Sequence, residues 1–218
     1  MLNLASFRGV QSISQGLSSG PQRDRQAGGA APLWRLFQAG QLLELSGRAP
    51  GKLSAVVQLI VRAQAEQEPV AWVAPRDAAC FYPPDFERAG VDLAALTVVR
   101  LSVADDAGSH GLVRAAEVLL RSGAFGLVVI DLAQGIPRGE LSWQARLSGL
   151  LRRHNARAVV LTESRAKEPS LGPLVSLRVE ARFRAGERRV LLEQSLLKCK
   201  LGMNVAISPD VRSLPEGA

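Results

Sequence analysis

The sequence predicts an α/β domain with a mostly parallel central sheet, helices on its faces and an antiparallel hairpin near the C-terminus. From Leu33 onward, short apolar runs alternate with longer amphipathic segments, as expected for strands joined by helices. Several of these runs are continuously apolar, which is typical of parallel strands buried on both faces. Beyond Leu174, apolar and polar residues alternate around a glycine-containing turn, which indicates a hairpin.

The predicted elements follow one another in a regular order. Five apolar runs predict strands, at residues 42–45, 70–74, 97–101, 126–131 and 158–162. Four segments between them predict helices, at residues 54–67, 85–89, 112–122 and 141–154. Pro75 is expected to end the second strand, because proline has no N–H to donate to a sheet. The hairpin joins residues 174–184 to residues 188–194, and residues 203–207 predict a further strand at the sheet edge.

Composition divides the chain into an arm, a core and a tail. Residues 1–31 are rich in Ser, Gly, Gln and Ala and predict a flexible arm, before a core domain at 32–208 and a tail at 209–218. No run of about 18 apolar residues occurs, so we expect no membrane span and a cytoplasmic protein. Cys80 and Cys199 are expected to be small packing residues, and the few Cys and His residues are too scattered to predict a metal site.

The net charge of +7 is concentrated in one region. Residues 138–200 contain fourteen Arg or Lys residues against six Asp or Glu residues. This excess suggests a surface for DNA or an acidic protein partner, although a solvated surface without a specific ligand is an equally good interpretation. The candidate interface comprises the arginines near the hairpin turn and two later lysines: Arg182, Arg184, Arg188, Arg189, Lys198 and Lys200. The lysines also suit an edge strand that discourages aggregation.

A glycine-rich loop follows the first predicted strand. A phosphate-binding P-loop reads G-x-x-x-x-G-K-[ST], with the lysine on the β- and γ-phosphates and the hydroxyl on Mg²⁺. Here three residues separate the two glycines, Pro50 lacks an N–H, and Leu53 stands where the hydroxyl belongs. The apolar run 126–131 ends in a carboxylate, as a metal-binding Walker-B strand does. The sequence therefore predicts a vestigial nucleotide site formed by Gly47, Gly51, Lys52, Ser54 and Asp131.

Four segments resemble the core of the RecA recombinase family, over roughly residues 33–207. They are residues 40–47 (GQLLELSG), 88–96 (RAGVDLAAL), 120–131 (LRSGAFGLVVID) and 197–202 (LKCKLG). The second and third segments are the specific ones, and the other two support them. The resemblance implies a RecA-like P-loop core. It also implies that Lys198 and Lys200 match lysines that reach a neighbouring subunit's nucleotide in active filaments.

The chain departs from that family in its ATPase and DNA-binding parts. Pro75-Arg76-Asp77 stands where the family has a water-activating Glu, and Glu163 stands where it has a nucleotide-sensing Gln. The segments that match the DNA-binding loops, residues 133–141 and 164–174, are short. These departures predict a protein without catalytic residues that does not hydrolyse ATP and has no resident cofactor. Weak binding of ATP with Mg²⁺ is left open.

With these departures the chain is similar to the ImuA family, the RecA-like or SulA-like accessory proteins of damage-induced mutagenesis. The resemblance implies a role in the SOS response and DNA repair, with an inactive Y-family polymerase homologue and an error-prone replicative polymerase subunit as partners. It also implies binding to the recombinase RecA, which limits recombination and favours translesion synthesis. Two alternatives remain: a DNA-binding recombinase paralogue that uses residues 138–200, and a weakly active ATPase in which Asp77 replaces the missing Glu.

Overall fold

The strands and helices of the core occur in the predicted order. The computed structural model describes residues 28–47, 50–78, 80–102, 107–137, 139–185, 189–200, 205–208 and 210–213. Its strands are β1 (Gly28–Ala31), β2 (Leu42–Ser46), β3 (Val70–Pro75), β4 (Leu96–Leu101), β5 (Leu127–Asp131), β6 (Arg157–Leu161), β7 (Leu177–Ala185), β8 (Arg189–Cys199), β9 (Val205–Ile207) and β10 (Asp210–Ser213). Its helices are α1 (Leu33–Leu36), α2 (Gly51–Ala65), α3 (Pro83–Arg88), α4 (Ala107–Arg121) and α5 (Glu140–Arg153).

A mixed sheet of eight strands forms the centre of the described fold, in the order β10-β8-β7-β2-β6-β5-β3-β4. All neighbouring pairs from β7 to β4 are parallel. In contrast, β8 runs antiparallel to β7, and β10 runs antiparallel to β8. The prediction of an α/β domain with a mostly parallel sheet and an antiparallel C-terminal hairpin is therefore confirmed, and the arrangement is consistent with a RecA-like core.

Two apolar layers cover the two faces of the sheet. Because successive side chains of a strand point to opposite faces, Leu43 and Leu45 pack in the layer that contains α2, whereas Leu42 packs in the layer that contains α4 and α5. Burial on both faces explains why the strands β2, β3 and β5 are continuously apolar or nearly so. Trp72 and Trp143, one in each layer, are 0% and 1% exposed.

Pro75 ends the second strand, as predicted, although the strand includes the proline itself. It is the last residue of β3, one residue beyond the predicted strand, and lies opposite Leu101 of β4. The pairing of β3 with β5 extends only to Val73, so no neighbour on that side requires an N–H from Pro75. All four predicted helices begin earlier than predicted, by one residue in α5, two in α3, three in α2 and five in α4. α3 begins at Pro83, a residue suited to the first turn of a helix, and α4 begins at Ala107.

A separate parallel sheet of two strands joins the two ends of the described chain, where β1 pairs with β9. Part of the predicted arm, residues 28–31, is therefore a strand, whereas residues 1–27 lie outside the described residues. The strand expected for residues 203–207 does not lie at the edge of the large sheet. That edge is β10, which comes from the predicted tail. Among the described residues, none of the helices has the length and apolar character needed to cross a bilayer.

Candidate functional site

The carboxyl ends of three neighbouring strands bring together the residues of the predicted nucleotide site. β2, β6 and β5 are adjacent and parallel, so they end at the same edge of the sheet. Lys52 follows β2 in the first turn of α2, Asp131 is the last residue of β5, and Glu163 follows β6 closely. This edge is where ligands bind in open sheets of this kind.

Gly47 and Gly51, the two glycines of the shortened motif, lie close to β7. Gly47 has a φ of +99°, which side-chain-bearing residues rarely adopt, and its N–H donates to the carbonyl of Ser164 at 3.1 Å. A Cβ added to Gly51 would lie 2.6 Å from the carbonyl oxygen of Ala181 in β7. Residues 48 and 49, between the two glycines, lie outside the described part of the chain. The observed role of both glycines is therefore close packing against β7.

Lys52 is held by the protein itself. Its side chain is buried, and its Nζ donates to the Glu163 carboxylate at 2.5 Å and to the Thr162 carbonyl at 3.0 Å. In a working P-loop this ammonium contacts phosphate oxygens. Here the Glu163 carboxylate supplies the negative charge, and its side chain remains 48% exposed. A phosphate group that approaches Lys52 would have to compete with that carboxylate.

Asp131 is also satisfied by protein groups. It is buried, and its Oδ1 accepts a hydrogen bond from the Ala133 N–H at 3.0 Å. Its Oδ2 accepts one from the Cys80 thiol at 2.5 Å. Burial, followed by the hydrogen bond and negative charge of Asp131, raises the pKa of the Cys80 thiol to about 12. The thiol therefore stays protonated and donates its hydrogen bond to Oδ2 of Asp131. A hydrated metal ion would otherwise approach that oxygen.

The remaining residues around the predicted site lie apart from this centre. Ser54 lines a separate depression of about 290 Å³, together with Leu53 and Cys80. Arg76 and Asp77 are exposed beyond the end of β3, and the Arg76 N–H continues the pairing with β4 by donating to the Leu101 carbonyl. Neither of these exposed side chains makes a hydrogen bond or ion pair with Lys52 or Asp131 within the described residues.

A buried ion pair fixes the loop that follows β6. Glu44 of β2 is 0% exposed, and its carboxylate accepts hydrogen bonds from Thr162, Ser170 and the Leu171 N–H at 3.2, 2.9 and 2.9 Å. Arg178 of β7 lies 3.4 Å from the same carboxylate. The guanidinium of Arg178 also donates to the carbonyls of two residues in this loop, Arg165 and Glu168. The segment between β6 and β7 is thus tied to the centre of the sheet.

Neither the Glu44–Arg178 pair nor the Cys80–Asp131 contact is predicted from the sequence. One signal for the ion pair was available, because a buried charge within an apolar strand requires a charged partner. Its identity depends on β2 pairing with β7, whose sequence lies far away. For Cys80 there was no comparable signal, since it lies in an irregular segment between β3 and α3 whose path cannot be inferred from periodicity.

The described arginines of the candidate interface lie on β7 and β8, the strands that flank residues 186–188. Arg182 is exposed and forms an ion pair with Glu180 at 2.5 Å, and Arg184 lies 3.9 Å from Glu193. Arg189 begins β8. Arg188 lies outside the described residues. The two described side chains with known contacts therefore each have an acidic neighbour on the hairpin.

The two lysines of the candidate interface lie at the other end of the hairpin. Lys198 is opposite Arg178, six residues from Arg184 along β7, which corresponds to about 20 Å. Its Nζ donates to the Gly172 carbonyl at 2.8 Å, and Lys200 donates to the Pro173 carbonyl. Burial lowers the pKa of Lys198 below its ordinary value, and the charge of Lys200 acts in the same direction. The structure thus separates the predicted interface into two groups.

Neither a protein-family model nor a curated protein sequence matches this chain. Within the part of the chain that the structure describes, no group of three or more His, Cys, Asp or Glu side chains is placed to hold a metal ion. The chemistry of the site therefore follows from its geometry alone. Protein groups neutralise the Lys52 cation and donate hydrogen bonds to the Asp131 carboxylate. In a nucleotide-bound enzyme, phosphate oxygens and a hydrated metal ion would take these positions.

Proposed function

We propose that this chain is a non-hydrolysing RecA-like accessory protein of the DNA damage response. It binds recombinase protomers or filaments and translesion polymerase partners, and thereby limits recombination and favours mutagenic translesion synthesis. The observation that supports the non-hydrolysing part is the pairing of Lys52 with Glu163 at 2.5 Å. The resemblance of residues 88–96 and 120–131 to the RecA core supports the choice of partners.

Phosphoryl transfer depends almost entirely on positioning and on stabilisation of charge. The Glu163 carboxylate competes with phosphate for Lys52, and the Cys80 thiol competes with metal-bound water for Asp131. The position expected for a water-activating carboxylate is occupied by Arg76, an exposed cation. Each of the three changes acts against hydrolysis, and together they favour a role in binding over a role in catalysis.

The proposal is tested by combining an ATPase assay with a recombinase assay. The purified protein is expected to show no turnover of Mg-ATP above background, to be retained by immobilised recombinase and to reduce its strand exchange. Turnover that disappears in Lys52→Ala would instead support the weak ATPase. Absence of both retention and any effect on strand exchange would exclude recombinase as the partner.

A direct DNA-binding role is the second candidate, favoured by the exposed arginines Arg182 and Arg184 on the hairpin. Binding through phosphate contacts releases counterions, so the logarithm of the affinity must fall steeply with the logarithm of the salt concentration. A steep salt dependence with DNA, lost in a double substitution of these arginines by glutamine, would favour this alternative.

A further inference from the structure

A cleft of about 720 Å³ lies beside the shortened glycine loop, within the size range of pockets that hold ligands. Its first wall is the loop at Gly47 and Pro50, and its second is the segment from Arg165 to Lys167. The third wall is β7, with Glu180, Arg182 and Phe183. We refer to this space as the β7 cleft. It is distinct from the depression that is lined by Ser54 and Cys80.

The walls of the β7 cleft are held in position by hydrogen bonds and close packing. The carbonyl of Arg165 accepts from the buried Arg178 at 2.8 Å, which fixes the second wall. The carbonyl of Ser164 accepts from the Gly47 N–H, which joins the first wall to the second. Gly51 packs against the backbone of β7, which joins the first wall to the third. A partner would therefore meet a preformed surface and would order little of it on binding.

The side chains around the cleft give it an excess of positive charge. Its two carboxylates are already paired, Glu163 with Lys52 and Glu180 with Arg182. The remaining charged residues, Arg165 and Lys167, are exposed. Within the described residues neither of their side chains forms an ion pair with an acidic side chain.

The cleft also exposes apolar surface. Phe183 is 40% exposed although it belongs to the central sheet. Pro50 and Ala166 line the same space and add apolar area on the facing walls. An exposed aromatic side chain in a concave site with cations at its rim is typical of surfaces that bind a peptide with an apolar anchor and flanking charges of the opposite sign.

We propose that the β7 cleft is the docking site for an acidic peptide segment of a partner protein that carries one aromatic or large aliphatic side chain. The apolar side chain packs against Phe183, and carboxylates of the segment pair with Arg165 and Lys167. This inference rests on the proposed function, which it deepens by naming a surface and the chemistry of the partner. Charge complementarity identifies the occupant.

The described lining of the cleft favours a peptide over a nucleic acid. Single strands are usually bound by several aromatic residues on which successive bases stack, whereas the cleft offers Phe183 alone among its described lining residues. A peptide can instead keep its charges at the rim and insert an uncharged side chain.

The test uses fluorescence anisotropy with three labelled probes and the full chain. The first probe is a short peptide rich in Asp and Glu with one central Phe, the second has Gly in place of that Phe, and the third is single-stranded oligo-dT. Lys167→Glu and Phe183→Ala alter the cleft. Arg153→Glu and Val118→Ala are matched controls, because these exposed residues lie on α5 and α4, outside the cleft.

The first peptide is expected to bind at least tenfold more tightly than the second. Both cleft variants are expected to weaken its binding at least tenfold, and both controls are expected to leave it within twofold. No saturable binding, or binding that neither cleft variant weakens, overturns the proposal. Binding of oligo-dT in preference to the peptide also overturns it and identifies the cleft as a nucleic-acid site. Circular dichroism of each variant establishes that it is folded.

Retention by immobilised recombinase distinguishes failure of this inference from failure of the proposed function. If recombinase retains the wild type and both cleft variants equally and the peptide does not bind, the docking site is wrong and the proposed function stands. If the peptide binds in the cleft but recombinase retains no form of the protein, the docking site stands and recombinase is excluded as its partner.

Discussion

Glu163→Gln should make Lys52 available to bind phosphate. The substitution keeps the shape of the side chain and removes the negative charge that lies 2.5 Å from Lys52. A hydrogen bond between charged groups contributes roughly 1.5–3 kcal/mol, whereas one with a neutral partner contributes roughly 0.5–1.5 kcal/mol. The midpoints of these ranges differ by about 1.25 kcal/mol, which an incoming phosphate no longer has to overcome, and this corresponds to a roughly eightfold gain in phosphate affinity.

The same substitution should lower the stability of the ligand-free protein. Lys52 is 2% exposed and would keep only the Thr162 carbonyl and a neutral amide as acceptors. Because the Glu163 side chain is 48% exposed, solvent compensates part of the loss, and we expect a cost of about 1 kcal/mol. In a chain of this length, that cost lowers the melting temperature by about 2–4 °C.

Thermal unfolding with and without inorganic triphosphate measures both effects, because a ligand that binds only the folded state must raise the melting temperature. The variant should start lower than the wild type and show the larger rise with triphosphate. Glu87→Gln is the matched control, since Glu87 is exposed on α3 and its substitution changes the net charge equally. If a folded Glu163→Gln protein shows no larger rise in melting temperature with triphosphate than the wild type, the inference that Glu163 competes with phosphate for Lys52 is refuted.

Three further predictions concern the contacts around the site. Cys80→Ala should lower the free energy of unfolding by about 1–2 kcal/mol because the buried Asp131 carboxylate keeps the Ala133 N–H but loses the thiol donor, whereas Cys80→Ser should retain most of that stability. The pKa of Cys80 is higher in the folded than in the unfolded protein, so the protonated thiol should stabilise the folded state fully below pH 9.0. This stabilisation should be lost as the pH approaches about 12, which denaturant titrations of the wild type and Cys80→Ser at several pH values would measure. Gly51→Ala should lower the free energy of unfolding by more than about 2 kcal/mol, because the added Cβ would lie 2.6 Å from a backbone oxygen. Gly149→Ala in α5 is the control: an added Cβ there has nothing within 4 Å, so the substitution should raise the free energy of unfolding by about 0.5–1 kcal/mol, as measured by urea titration. Glu44→Gln should lower the urea midpoint by an amount equivalent to about 3–5 kcal/mol, because it leaves a buried guanidinium without its carboxylate; a loss below about 1 kcal/mol would contradict the assigned ion pair.

The sequence predicts the sheet well because its strands are buried on both faces. Continuous apolar runs such as residues 126–131 can hardly be anything but central strands, and the order of strands and helices then favours parallel pairing. The same order predicts that Lys52 and Asp131 lie at one edge of the sheet. The end of the second strand at Pro75 is predicted to within one residue, because Pro75 pairs with β4 but the pairing with β5 stops at Val73, and the sequence does not show which neighbour continues.

The contacts that determine the state of the site depend on packing between distant segments. The sequence shows that Glu163 departs from the family pattern, but it does not show the contact of Glu163 with Lys52. That contact follows from the adjacency of β2 and β6 and from the rotamers of both side chains. Cys80 reaches Asp131 from an irregular segment, for which hydrophobic periodicity makes no prediction. A sequence thus identifies the groups near a site more readily than it identifies which of them are already paired.

The internal pairing also bears on how partner binding would be controlled. In a nucleotide-dependent protein, ligand phosphates hold the loops that collapse after hydrolysis, so partner affinity follows the nucleotide. Here Glu163 supplies the charge opposite Lys52, and the adjacent wall of the β7 cleft is fixed through Arg178 and Glu44. A surface that is complete without a ligand gains nothing from one, since a ligand shifts a conformational equilibrium only when it binds the two states differently. Under the proposed function, partner affinity should therefore be the same with and without Mg-ATP, and control would have to come from the amount of protein or from its partners.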